Sequence, residues 1–66
     1  MRVRVNGEER TVTEGMTLEG LVDEVGLNRA GIAVELNREV VPRGAYAGTV
    51  LGDGDRVEII RMVGGG

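Results

Sequence analysis

The chain has 66 residues and a formal net charge of −3, which makes one small domain with a marginal core and no surplus of positive charge. It holds no cysteine and no histidine. That excludes a disulfide framework, a thiolate metal site and a thiol nucleophile, and removes the commonest general base, so an enzyme acting alone is a poor reading.

The acidic balance argues against nucleic acid or an anionic membrane as a partner. No apolar run approaches the ~20 residues that span a bilayer, and the N-terminus has no secretory pattern. The expectation is a cytoplasmic protein, monomeric when free. All eight basic residues are arginine. Nucleotide-composition bias is the favoured reading of that; a protein carrying an activated carboxyl end would also gain from having no side-chain amine to attack it.

Met1 to Val5 alternate, with Val3 and Val5 on one face and Arg2 and Arg4 on the other, the period of a strand with one wet face. Asn6-Gly7 is a strong hairpin signal, because a type I′ turn needs two residues tolerant of positive φ. Glu8 to Thr13 return as a second strand, with Val12 its best core residue. So few apolar side chains predict an edge strand, where Glu8, Glu9 and Arg10 discourage further pairing.

Glu14-Gly15 turns the chain. Thr17 is the expected N-cap of a helix on which Leu18, Leu21, Val22 and Val25 form one apolar stripe, and Gly26 stops it. Glu19 suits the positive N-terminal end of the helix; Glu24, near the other end, does not. Gly20 falls opposite the stripe and should cost about 1 kcal/mol relative to alanine. Nothing in the sequence explains it.

Asn28 to Gly31 connect to a third strand with Ile32, Val34 and Leu36 inward. Asn37-Arg38 turns the chain into a short strand, Glu39 to Val41, ended by Pro42, which has no N–H to give to a ladder. Arg43 to Gly48 predict an irregular or single helical turn, with Tyr46, the only aromatic residue, covering the end of the core with its hydroxyl in water. Thr49 to Leu51 are extended. Gly52-Asp53-Gly54-Asp55 reads as a tight turn rather than a cation site, since its ligand spacing is short. Arg56 to Met62 make the last strand, with Val57 and Ile59 inward and Ile60 and Met62 on the opposite face.

A hairpin, one amphipathic helix and a return to strands predict an α+β chain: one main helix packed across a mixed sheet of four to five strands. First and last strands then lie side by side in the middle. That is the β-grasp, or ubiquitin-like, arrangement. Residues 1–63 form the domain and 64–66 a flexible glycine tail.

The tail is the feature the body does not need. Gly64, Gly65 and Gly66 carry no side chains and end in a carboxylate. They are expected to be mobile in the free protein. Without Cβ atoms they can thread a narrow channel, and five extended residues from Met62 reach about 16 Å.

The stretch Asn37 to Ala47 resembles the sulfur-carrier family of the thiamine pathway, through Asn37, the Val41-Pro42-Arg43 step and an aromatic at Tyr46, where tryptophan is frequent in the family. The run Asp53 to Ile60 and the end Val63 to Gly66 are similar too, so the likeness covers the whole chain. The small subunit of molybdopterin synthase shares fold and tail, but is usually longer and richer in phenylalanine, which is absent here. The resemblance implies that the Gly66 carboxylate is adenylated with ATP and magnesium by a ubiquitin-activating-type adenylyltransferase. It further implies that a persulfide donor turns it into a thiocarboxylate, which delivers sulfur to thiazole synthase. Gly64 and Gly65 would thread the partner's active site. No cofactor or metal is then bound by the chain itself.

Ile60, Met62 and Val63 are the candidates for an apolar docking patch, framed by Arg2, Arg4 and Glu58. Solitary surface apolar residues are an equally good account of them. Two other functions remain open at this point: sulfur delivery to molybdopterin or cysteine synthesis, and a ubiquitin-like interaction module without sulfur chemistry.

Overall fold

The structure is a computed structural model that describes residues 1–27 and 29–62. Among the described residues the strands are β1 (Arg2–Val5), β2 (Glu8–Thr11), β3 (Ile32–Leu36), β4 (Glu39–Val41) and β5 (Arg56–Arg61), with one α-helix, α1 (Leu18–Glu24), and two short 3-10 helices, Arg29–Gly31 and Arg43–Ala45. They form one five-stranded sheet in the order β2-β1-β5-β3-β4. Only β1 and β5 run parallel. This is the β-grasp arrangement expected from the sequence, with the first and last strands adjacent and β5 at the centre.

The hairpin forms because Asn6 and Gly7 both take positive φ, 51° and 84°. Beyond Thr11 the pairing continues without regular strand geometry. Val12 N–H donates to the Met1 carbonyl at 2.8 Å, and the Met1 ammonium donates to the Val12 carbonyl at 3.0 Å. β2 itself ends at Thr11, two residues earlier than the sequence pattern suggests.

α1 is satisfied at both ends. The Thr17 hydroxyl accepts from Gly20 N–H at 3.1 Å, and the carbonyls of Thr49 and Tyr46 accept from Leu18 and Glu19 N–H at 2.8 and 3.2 Å. At the other end Gly26 has φ 78°, its N–H donates to the Asp23 carbonyl, and Leu27 N–H donates to the Val22 carbonyl, a Schellman closure. Glu24, unfavourable on dipole grounds, lies 3.5 Å from Arg10 Nη2 on β2. Leu18, Leu21 and Val22 are fully buried against Val3, Val34, Val57 and Ile59 of the sheet, and Tyr46 and Leu51 close the core.

Gly20 now has an account. A Cβ built there would stand 2.8 Å from Met16 Sδ. Met16 packs against the core, and its thioether occupies the space a side chain at position 20 would need.

The aspartate turn is structural. Asp53 Oδ1 accepts from Arg2 N–H at 2.8 Å, and Asp55 accepts from Gly52 N–H at 2.7 Å and from Asn37 Nδ2 at 3.1 Å. Both carboxylates are used in joining β5 to β1 and β3. Among the described residues no helix is long and apolar enough to cross a membrane.

Candidate functional site

The site is the far end of β5 and the sheet face around it. A central strand needs partners on both sides for every backbone group that points sideways. β1 turns away at Asn6, yet β5 continues. The Asn6 N–H reaches the Val57 carbonyl at 2.9 Å, and then its side chain takes over. Oδ1 accepts from Ile59 N–H at 2.7 Å, while Nδ2 donates to the Ile59 carbonyl at 3.3 Å. The side-chain amide thus stands in for the next peptide of β1. On the other side β3 pairs as far as Ile32 with Arg61, and Met62 N–H donates to the Gly31 carbonyl at 2.9 Å.

Asn37 does the matching work at the start of the strand. Its N–H donates to the Arg56 carbonyl at 2.8 Å, and its Oδ1 accepts from Arg56 N–H at 3.0 Å. Both hairpin asparagines therefore grip β5, one at each end. The sequence pattern places Asn6 in a turn, and Asn37 in a turn and in the family resemblance. The long-range half of their role carries no local signal.

Ile60 lies on the face away from α1, opposite Ala33, and is 48% exposed. Met62 is 56% exposed and follows β5. Val40 of β4, 72% exposed and paired with Glu35, belongs to the same face and was not among the sequence candidates. Only the register of β4 on β3 places it there. A depression of about 360 Å³, lined by Ala30, Ile32, Ala33, Val34, Val40, Val41, Arg43, Tyr46 and Met62, lies around β3 and β4 and reaches Met62 from there. Val63, Gly64, Gly65 and Gly66 lie outside the described residues. Among the described residues no cluster of three or more acidic, histidine or cysteine side chains is arranged for a metal ion. What the arrangement can do is hold Met62 at the end of a braced central strand.

The ThiS family model matches residues 3–66, so the match includes the glycines. The chain belongs to the ThiS family. Relatives of the chain carry the name sulfur carrier protein ThiS. A sulfur carrier protein ThiS from Thermus thermophilus is 39% identical over 64 residues, covering 97% of this chain and 98% of that one. A thiamine biosynthesis protein (ThiS) from Geobacter metallireducens superposes with a TM-score of 0.85 at 38% identity, each chain covered in full. A thiazole synthase from Paramagnetospirillum magneticum is 44% identical over all 66 residues, which make up 20% of that protein. The chain thus spans about a fifth of the length of that relative.

Proposed function

We propose that this ThiS-family chain works as a cytoplasmic sulfur carrier whose reacting group is the Gly66 carboxylate. A carboxylate is a poor electrophile and first needs a leaving group. On a ubiquitin-activating-type adenylyltransferase, a Gly66 carboxylate oxygen attacks the α-phosphorus of ATP, and pyrophosphate departs. The partner supplies ATP and magnesium. The terminal sulfur of a persulfide donor then attacks the acyl carbon and AMP leaves, giving an acyl disulfide. A thiol cleaves its S–S bond, becoming a disulfide itself and releasing the thiocarboxylate. That anion surrenders its sulfur to thiazole synthase.

In this scheme Gly64 and Gly65 give bare backbone to a narrow channel, where a Cβ would disturb an attack geometry sensitive to displacements of about 1 Å. Ile60, Met62 and Val63 form the apolar contact next to the channel mouth, and Val40 shares a depression with Met62. The observation that carries the reading is the family match through Gly66 on a chain whose central strand is braced up to Met62. The thiazole synthase assignment is supported by a protein of that name containing a stretch similar to this whole chain.

The test is intact mass after co-expression with the adenylyltransferase and a sulfur source. One oxygen-for-sulfur exchange is expected, and an unchanged mass with an active partner refutes the carrier reading. Deleting Gly66 abolishes the exchange and leaves thermal unfolding unchanged. Thiazole formation by the deleted chain would contradict the assignment.

A further inference from the structure

Along the outer face of β5, three rows of side chains follow one another toward Met62. Arg56 stands beside Arg4 of β1, Glu58 opposite Glu35 of β3, and Ile60 opposite Ala33. The first two rows are like-charge pairs on strands about 4.8 Å apart, an arrangement that destabilises a sheet. The ion pairs of Arg2 with Glu9 and of Arg10 with Glu24 involve none of Arg4, Arg56, Glu35 and Glu58. Glu9 is the cross-strand neighbour of Arg4, but its carboxylate reaches toward Arg2 at 3.9 Å. A depression of about 310 Å³, lined by Arg2, Arg4, Glu9, Asp53 and Arg56, opens at this corner.

A second departure sits at the same end of the sheet. Arg38 holds φ 71°, a region that disfavours any residue with a Cβ, whereas Gly7 fills the matching place in the first hairpin. Arg38 follows directly on Asn37, whose side chain binds the Arg56 N–H. Glycine there would relieve the backbone, and opposite charges would relieve the rows.

We propose that the end of the sheet carrying the Arg4–Arg56 row and the Asn37-Arg38 turn docks an acidic patch on the adenylyltransferase that takes the tail, with the Glu35–Glu58 row facing a basic group of the same enzyme. This rests on the function proposed above. The occupant is a protein with alternating charge, because the glutamate row beside the arginine row repels a uniform polyanion such as nucleic acid or an anionic bilayer. Arg56 and Met62 are about 20 Å apart along an extended strand, so one interface of ordinary size covers both the corner and the apolar row.

The test uses the full chain and its adenylyltransferase, reading ATP-dependent pyrophosphate release, together with thermal unfolding of the chain alone. Arg56→Gln, Glu35→Gln and Arg38→Gly each raise the melting temperature by about 1–5 °C. Each also raises KM for the chain about 3- to 10-fold, with kcat within about twofold. A higher melting temperature with KM unchanged in all three overturns the proposal, since a merely solvated face behaves that way. A raised KM with a lowered melting temperature overturns it too, because it marks damage to the fold. Wild-type chain binding a DNA duplex or an anionic vesicle as tightly as the enzyme does would also overturn it. Absence of pyrophosphate release by the wild type refutes the carrier reading itself; wild-type turnover with unmoved variants refutes the docking surface alone.

Discussion

Replacing Asn6 separates what a turn residue contributes from what a strand partner contributes. The Asn6 side chain makes two partly buried hydrogen bonds to Ile59, at 2.7 and 3.3 Å, while its backbone sits at φ 51°. Asn6→Gly keeps the backbone preference and loses both bonds. The shorter bond contributes about 1 kcal/mol, the longer one less, and an Ile59 N–H left partly buried without a partner adds to the loss. The expected destabilisation is about 2 kcal/mol, or about 8–16 °C in melting temperature for a domain of this size. Asn6→Ala adds about 1 kcal/mol for placing a Cβ in the left-handed region. Urea unfolding measures the totals, and amide exchange locates them: the Ile59 amide should lose protection, ahead of the Val57 amide. Asn6→Gly within about 0.3 kcal/mol of wild type, or an Ile59 amide exchanging at its old rate, would refute the idea that a side chain replaces the missing peptide of β1.

Two smaller changes test the helix. Gly20→Ala gains about 1 kcal/mol of helix propensity and must displace Met16 Sδ from 2.8 Å, which a flexible thioether does at modest cost. Thermal unfolding should therefore show a gain between zero and about 1 kcal/mol, and a loss of that size would mean Met16 is rigidly held. Thr17→Ala removes the cap to Gly20 N–H and should cost about 1 kcal/mol by the same measurement. An unchanged melting temperature would show that the Thr49 and Tyr46 carbonyls suffice.

The local chemistry of the chain was legible from residue types alone. Asn6-Gly7 demanded a tight hairpin, Thr17 and Gly26 bounded a helix, and the stripe from Leu18 to Val22 had to be buried, because each follows from backbone preference or from a short apolar period. The order of these pieces was enough for the β-grasp topology, since a hairpin, a crossover helix and a returning strand leave few ways to cover one sheet face. Other features depended on pairs far apart in the chain. The grip of Asn6 on Ile59, the arrival of Val40 opposite Glu35, and the pairing of Arg4 with Arg56 and of Glu35 with Glu58 are consequences of register, and register is a property of two strands rather than of either. Met16 over Gly20 is of the same kind: four residues apart, but decided by how the turn before α1 lays a side chain across it. Residue identity determined which elements form and where they stop; only the assembled sheet decided which side chains meet, because that is set by long-range backbone pairing that no local pattern encodes.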